Sequence, residues 1–252
     1  MAESHAPVAL VTGAGRRRIG WQVAWALAQR GYVVALHYHR SAAEAEAGVA
    51  SLTEQGFQAL ACQADLADEQ AARRMVEQIV GRFGRLDVLV NTAAVWERKR
   101  LEDVTAADVR RHFEINTLGT FICSQAAGLV MVTQPSGGNI ITIGDWAVVR
   151  PYLEYAAYFP SKGAIPALTR SLAVELGTRN PSVRVNCILP GPVMLPEDMS
   201  AEERAEVVRA TLVKREGSPQ HIVQTVLFLL DNDFLTGVCI PVDGGRTIYA
   251  GE

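Results

Sequence analysis

The chain of 252 residues is 49% hydrophobic, so it is long enough to bury a large core as one α/β domain or as two small ones. Its 24 Lys and Arg are balanced by 27 Asp and Glu, which gives a net charge of −3. This balance offers no basic field for nucleic acid and no polybasic patch for a membrane surface. We therefore expect neither as a partner.

Targeting, membrane and metal-binding signals are also missing from the sequence. The N-terminus lacks the charged-then-apolar pattern of a secretory signal, and no stretch reaches the ~18 apolar residues that span a bilayer. The four cysteines at 62, 123, 187 and 239 are far apart, and no histidine lies at metal-ligand spacing from them. We expect reduced thiols, no metal site and a cytoplasmic protein.

Apolar runs alternate with helix-like patterns along the chain. They predict strands at 7–12, 33–38, 60–64, 86–91, 139–143 and 183–189, and helices at 21–30, 42–55, 68–83, 106–132, 155–178 and 218–231. Strand alternating with helix implies a parallel sheet that is covered on both faces by right-handed crossovers. Because no repeat or linker divides the chain, we predict one doubly wound, Rossmann-like α/β domain over residues 1–252.

A glycine-rich loop from Thr12 to Gly20, TGAGRRRIG, joins the first predicted strand to the first helix. In a doubly wound fold this is the place for a dinucleotide pyrophosphate, since glycines admit the phosphates and the helix N-terminus supplies amide hydrogens. The spacing departs from G-x-G-x-x-G, and a plain glycine-rich turn is the alternative. The predicted cofactor contacts of the loop are Gly13, Gly15, Arg17, Arg18, Ile19 and Gly20.

The end of the second predicted strand indicates which nicotinamide cofactor is used. No carboxylate stands there for the ribose 2′-hydroxyl of NAD, and His39, Arg40 and Ser41 follow instead. A guanidinium and a hydroxyl suit a 2′-phosphate, and Arg17 can approach from the glycine loop. The sequence leaves open which of the three loop arginines does so. The alternative is a basic turn that caps the next helix through Ser41. We predict NADPH.

Tyr158 and Lys162 are four residues apart, so they share a face of the predicted helix and the ammonium can lie beside the phenol. A neighbouring cation favours the phenolate, which should bring the tyrosine pKa down from its ordinary ~10 toward cellular pH. That pairing would make a usable acid. The alternative is a surface pair at a common helical spacing.

Together these residues resemble the short-chain dehydrogenase/reductase family over essentially the whole chain. The resemblance rests on the glycine loop, Asp65, Asn91–Ala94, Asn116 with Gly119, the Tyr158-x-x-x-Lys162 pair and Pro190-Gly191. It implies NAD(P)-dependent hydride transfer, a seven-stranded sheet and a homotetramer. It also implies that Lys162 binds the nicotinamide ribose, and that Asn116 bends its helix and helps to hold a water on the proton path. Further cofactor contacts implied by it are Asp65, Leu66, Asn91, Ala93, Pro190 and Gly191.

Within the family the chain is most similar to the pteridine reductases and dihydromonapterin reductases. The segment Leu36–Ser41 resembles their NADPH-binding segment, and Asp145 stands where the family usually has a serine. Trp96 occupies the place of an aromatic ring that holds the pterin against the nicotinamide. The end of the chain, from Leu235 to Arg246, is similar as well.

Trp96 and Asp145 both make chemical sense if the substrate is a nitrogen heterocycle. An indole can hold a flat, electron-poor bicycle by stacking, whereas an ordinary loop aromatic is the alternative for Trp96. An ionised Asp145 would repel the alkoxide of a carbonyl substrate, but an acidic residue beside Tyr158 can relay a proton to a ring nitrogen. The alternative is that Asp145 marks a dead or repurposed site.

The sequence therefore predicts an NADPH-dependent reductase of dihydropterins or dihydrofolate, with Tyr158, Lys162, Asp145 and Asn116 as the catalytic group and Trp96 in the substrate pocket. A carbonyl reductase of a small ketone or a 3-oxoacyl thioester is the alternative within the same class. A non-catalytic NADPH-binding module is the alternative from another class. The stretch 193–214 is predicted to form a substrate lid.

Overall fold

The structure, a computed structural model, describes residues 6–249. Within that range the strands are β1 Val8–Thr12, β2 Val33–Tyr38, β3 Ala59–Gln63, β4 Val88–Asn91, β5 Gly138–Ile143, β6 Val183–Pro190 and β7 Cys239–Val242. They form one parallel sheet in the order β3-β2-β1-β4-β5-β6-β7. The helices are α1 Ile19–Gln29, α2 Ala42–Glu54, α3 Glu69–Phe83, α4 Ala106–His112, α5 Gly119–Met131, α6 Tyr158–Arg179, α7 Ala201–Arg209 and α8 Pro219–Asp231.

Helices cover both faces of the sheet. On one face α3, α5 and α6 pack against strand residues such as Leu10 and Ile140. On the other face α1, α2 and α8 pack against residues such as Val11 and Ile188. Burial on two sides explains why all five residues of β1 are buried and four of them are apolar. The predicted single-domain, doubly wound α/β fold is confirmed. Over residues 6–249, no helix combines the length and the hydropathy that crossing a membrane requires.

Three features were not predicted by the periodicity. β7 has only four residues and includes Pro241, which is tolerated because this strand lies at the edge of the sheet. Helix α7 lies within the predicted lid and begins at a capping box formed by Ser200 and Glu203. The helix predicted over 106–132 is interrupted by a π-helical turn, Phe113–Leu118, which separates α4 from α5.

The order of the strands reverses between β1 and β4, which are neighbours although β2 and β3 lie between them in sequence. Crossovers run in opposite directions from such a point and leave a crevice at the carboxyl ends of the strands. The chain segments that leave β1 and β4 meet there, and the amide of Ala93 donates to the Thr12 hydroxyl at 3.2 Å. This crevice positions the candidate site.

Candidate active site

A cleft of about 1450 Å³ opens at the carboxyl edge of the sheet. Most of the predicted site residues face this one space. Those that line it are Gly13, Gly15, Arg18, Ile19, Gly20, His39, Arg40, Ser41, Asp65, Leu66, Ala93, Trp96, Asp145, Tyr158, Lys162, Pro190 and Gly191. Three predicted residues lie outside the lining: Arg17, Asn91 and Asn116.

The glycine loop allows a close approach of backbone to backbone. Gly13 has a φ of 67°, and a Cβ built there would lie 2.8 Å from the Cα of Ala93. A Cβ on Gly15 would lie 2.7 Å from the Oγ of Ser41. Larger residues at these positions would push the neighbouring segments apart, so the glycines preserve the shape of the loop, which we call the glycine cradle.

His37 holds the base of this cradle together. Its Nδ1 accepts from the amide of Gly13 at 3.0 Å, so the proton of the neutral ring is on Nε2, 3.1 Å from the carbonyl of Ala64. Burial lowers the pKa of His37 to about 4, which keeps the ring neutral at cellular pH. One side chain thereby links the ends of β1, β2 and β3.

The turn after β2 presents charged and polar groups at one end of the cleft. Arg40 is exposed, and Ser41 makes no side-chain hydrogen bond to the helix that follows it. The alternative role of Ser41 as a side-chain cap is therefore not seen. The Nε2 of His39 lies 3.5 Å from the Oδ2 of Asp65, whose Oδ1 accepts from the amide of Ala67 at 3.0 Å.

The three loop arginines separate into two groups. Arg16 and Arg18 line the cleft, and Arg16 also lies 3.7 Å from Glu44. The prediction for Arg17 is not supported, because its side chain is directed to the outer surface of α1. There its guanidinium donates to Ser51 at 3.4 Å and lies 5.7 Å from the centroid of the Trp21 ring. Arg16, Arg18 and Arg40 are the exposed guanidinium groups that line the predicted phosphate end.

Tyr158, Asp145 and Lys162 come together at the opposite end. The Tyr158 hydroxyl donates to the Oδ2 of Asp145 at 2.8 Å, and the amide of Ala147 donates to its Oδ1, also at 2.8 Å. The Nζ of Lys162 donates to the carbonyl of Ile143 at 2.7 Å. Because Tyr158 begins α6 and Asp145 follows β5, the sheet and the helix together fix the geometry.

The electrostatics of this group differ from the sequence prediction. The pKa of Tyr158 is raised well above 10 by burial and by Asp145, so the prediction that Lys162 lowers it is wrong. The Lys162 ammonium donates to the backbone carbonyl of Ile143, whereas the Tyr158 hydroxyl donates to the carboxylate of Asp145. Burial also raises the pKa of Asp145 and lowers that of Lys162 to about 8. The tyrosine is therefore a neutral hydroxyl that can donate a proton.

Asn116 lies in the π-helical turn and is completely buried. Its Oδ1 accepts from the amide of Val95 at 2.8 Å, and its Nδ2 donates to the Ser161 hydroxyl at 3.0 Å. The side chain thus ties the loop after β4 to α6, close to Tyr158. The irregular helix agrees with the expected bend, but the amide does not face the cleft.

Asn91 also lies below the cleft. It is the last residue of β4, 3% exposed, and its Nδ2 donates to the Ser124 hydroxyl at 3.0 Å, so its side chain points into the interior instead of toward a ribose. The residues that follow it, including Ala93, line the cleft in its place.

Aromatic rings surround the reaction end. Trp96 is 42% exposed and stacks on Tyr155, with centroids 4.9 Å apart and planes at 12°. Tyr155 in turn lies edge-on to Tyr158, with a centroid distance of 6.3 Å. Trp96 therefore stands at the cleft wall, in ring contact with a neighbour of the phenol.

Arg246 lines the cleft, although no sequence pattern predicts a role for it. It follows β7, and its guanidinium carbon lies 4.7 Å from the centroid of the Trp146 ring. No local pattern could have shown this, because the strand before it was not recognised and its neighbours in space come from the β5 end of the sheet. The Asp-Gly-Gly turn that precedes it is the one signal for a chain reversal there.

The described residues fit a nicotinamide dinucleotide. The glycines let the loop pack closely on Ala93 and Ser41 at the edge of the cleft, and α1 presents its N-terminus to the same space. Over residues 6–249, no group of three or more His, Cys, Asp or Glu side chains could hold a metal ion.

The chain is similar to known proteins over nearly its whole length. A family model described as enoyl-(acyl carrier protein) reductase matches residues 13–247. An uncharacterised oxidoreductase of Methylorubrum extorquens is 39% identical, covering 97% of this chain and 99% of the relative. A 3-oxoacyl-[acyl-carrier-protein] reductase of Synechocystis sp. is 33% identical, covering 99% of this chain and 100% of the relative.

A solved structure agrees with these matches. A blue fluorescent protein from a metagenomic library, in complex with NADPH, is 35% identical with a TM-score of 0.87, covering 95% of this chain and 97% of that one. Sequence, sheet order and the Tyr158–Lys162 arrangement therefore support one assignment. The chain belongs to the short-chain dehydrogenase/reductase family of oxidoreductases.

Proposed function

We propose that the protein is an NADPH-dependent reductase of a C=N bond in a flat heterocycle, such as a dihydropterin or dihydrofolate. The observation that carries the proposal is the hydrogen bond from Tyr158 to Asp145 at the cleft wall. A carboxyl group there suits delivery of a proton to nitrogen better than stabilisation of an alkoxide.

The proton chemistry follows from the shifted acidities. Burial raises the pKa of Asp145, so this carboxyl keeps its proton to a higher pH than an ordinary aspartic acid. In its protonated form it can donate to the substrate nitrogen or return a proton to Tyr158. In its ionised form it can accept an N–H of the ring. Tyr158, kept neutral by burial and Asp145, serves as the donor that faces the substrate.

The cofactor site is proposed from the lining of the cleft. The glycine cradle would hold the pyrophosphate, Arg18, Arg40 and Ser41 the 2′-phosphate, and Lys162 the nicotinamide ribose. Bound there, NADPH would supply the hydride to the substrate carbon. Trp96, stacked on Tyr155, offers a flat aromatic surface against which a bicyclic substrate can pack.

A carbonyl reductase is the second candidate. It is favoured by the similarity to the 3-oxoacyl-[acyl-carrier-protein] reductase of Synechocystis sp. over 99% of this chain and 100% of the relative. An ionised Asp145 next to a developing alkoxide argues against it. The presence of both Tyr158 and Lys162 in the cleft argues against a non-catalytic NADPH-binding module.

Substrate profiles of the natural protein and of Asp145→Ser separate these candidates. NADPH oxidation is measured with dihydrobiopterin, dihydrofolate, acetoacetyl-CoA and a small diketone. We expect kcat/KM for the dihydropterins to exceed that for the ketones by at least about tenfold, and Asp145→Ser to lose about tenfold on the pterins while it gains ketone activity.

Asp65→Ser is the matched control, since it removes a carboxylate from the other end of the cleft and should leave the substrate ratio unchanged. A natural protein that prefers ketones would replace the proposal with the second candidate. Cofactor binding without oxidation across the whole panel would favour the binding module.

Assembly and location stay predictions. The family resemblance implies a homotetramer, which light scattering of the purified protein would show as four times the mass of the chain. A cytoplasmic location is tested by fractionation of the producing cells. Neither outcome changes the proposed chemistry.

A further inference from the structure

Arg246 is held in the cleft wall by a rigid turn. The carboxylate of Asp243 accepts from the amide of Gly245 at 2.9 Å and from that of Thr247 at 2.6 Å. A guanidinium nitrogen of Arg150 donates to the carbonyl of Arg246 at 2.9 Å. The backbone on both sides of Arg246 is therefore fixed, so its side chain starts from a defined position.

The guanidinium of Arg246 is partly desolvated and has no partner among residues 6–249. Its carbon lies over the Trp146 ring, yet none of the guanidinium nitrogens makes a hydrogen bond or an ion pair with a described residue. Burial lowers the pKa of Arg246, an effect that Tyr152, Asp145 and Asp243 oppose. A cation in such a place loses hydration without gaining a hydrogen-bonded anion.

Other cations of the same wall are already paired. Arg98 bonds to Glu154, Arg111 lies 2.5 Å from Glu97, and Lys162 donates to a backbone carbonyl. Arg246 differs from them because its guanidinium N–H groups have no partner among residues 6–249. Arg246 lies over Trp146, the residue that follows Asp145, and all three line the same cleft.

We propose that Arg246 binds a carboxylate of the substrate next to the bond that is reduced. A guanidinium carries two N–H groups along one edge, and these match the two oxygens of a carboxylate. A dianionic phosphate would meet stronger repulsion from Asp145. The inference rests on the proposed reductase site for the identity of the reacting end, but the ionic contact is independent of which bond is reduced.

Binding of matched acid and neutral ligands tests this contact. The protein is loaded with NADP⁺, which occupies the phosphate-binding end and prevents turnover. Two pairs are then titrated by calorimetry: pterin-6-carboxylate with 6-hydroxymethylpterin, and acetoacetate with acetoacetamide. We expect the acid of at least one pair to bind at least about tenfold tighter than its neutral partner, because a hydrogen bond to a charged group is typically worth that much.

Variants test whether Arg246 causes the preference for the acid over its neutral partner. Arg246→Gln should bring the two affinities within about twofold of each other, and Arg246→Lys should restore part of the difference. Arg98→Gln, which alters a cleft arginine that is already paired, should keep the preference. The NADP⁺ affinity of every variant reports that the cleft is intact.

The inference is overturned if neither acid binds better than its neutral partner, or if Arg246→Gln keeps the preference. Its failure is distinct from that of the proposed function. Absence of NADPH oxidation with dihydropterins would reject the pterin proposal while the acid preference in binding could still be present.

Discussion

The two ends of the cleft differ in the solvent exposure of their side chains. At the phosphate end, Arg40 is exposed, and the side chains of His39 and Asp65 are 43% and 45% exposed. At the reaction end, Tyr158 and Lys162 are only 5% and 4% exposed. One cleft thus joins a solvated, charged end to a desolvated end.

The difference separates binding from chemistry. Solvated guanidinium groups keep their charge and can neutralise a phosphate without a large desolvation cost. Desolvated groups have shifted acidities, and at the reaction end burial moves the pKa of Asp145 and Tyr158 upward and that of Lys162 down to about 8. The pKa values of Asp145 and Lys162 move toward neutral pH, where catalytic proton exchange is most effective, whereas the raised pKa of Tyr158 keeps its hydroxyl protonated. Substitutions at the reaction end should therefore lower kcat, and those at the phosphate end should weaken cofactor binding.

The largest effect is expected at the reaction end. Tyr158→Phe removes the proton donor but keeps the ring, so kcat with the best substrate should fall by about 10²–10⁴-fold while the affinity for NADPH stays nearly constant. Steady-state kinetics and fluorescence titration measure the two quantities. Tyr155→Phe, which retains its stack on Trp96 and loses only a hydroxyl, should keep most of the activity. Equal loss in both variants would contradict the assignment.

An intermediate effect is expected at the phosphate end. Arg40→Ala should weaken NADPH binding by about tenfold to a hundredfold and leave NADH binding nearly unchanged, because only the 2′-phosphate contact is lost. Arg17→Ala is the matched control, since this arginine lies on the outer surface of α1. Titration of each variant with NADPH and with NADH measures the two affinities. If Arg17→Ala weakened NADPH binding more than Arg40→Ala did, the assignment of the phosphate end would be wrong.

The smallest effect concerns stability against pH. The pKa of Asp145 is raised by burial, so between its ordinary value of 3.8 and the raised one the folded chain holds a proton that the unfolded chain has lost. This group therefore stabilises the fold less as the pH rises through that window. Asp145→Asn lacks the ionised form, so its Tm relative to the natural protein should be highest at pH 8 and should fall as the pH is lowered toward 4. Thermal melts across that range give the difference, and one that did not change with pH would show that burial does not perturb this carboxyl.

Much of the cleft follows from local sequence patterns. The glycine loop, the turn after β2 and the i, i+4 pair of Tyr158 and Lys162 are each read from a few neighbouring residues. Strand and helix periodicity then brings them to one edge of the sheet. That is why most of the predicted cofactor residues line the cleft.

The direction and the burial of individual side chains depend on tertiary contacts. Arg17 and Arg18 are adjacent in sequence, yet only Arg18 lines the cleft, because packing against Trp21 takes the other side chain away. Asn91 was expected to contact the cofactor, and its side chain instead bonds to Ser124 in the interior. A sequence motif identifies a candidate residue, but the packing around that residue determines whether its side chain faces a ligand.

The sequence by itself determined the alternation of strand and helix, and with it the doubly wound fold and the family, because periodicity and glycine spacing are local properties. Only the tertiary structure decided that Tyr158 faces a carboxylate more closely than a cation, and that Arg246 enters the cleft from the far end of the chain. Both depend on desolvation and on contacts between segments distant in sequence. Such contacts set the pKa of a buried group and leave no periodic trace in the chain.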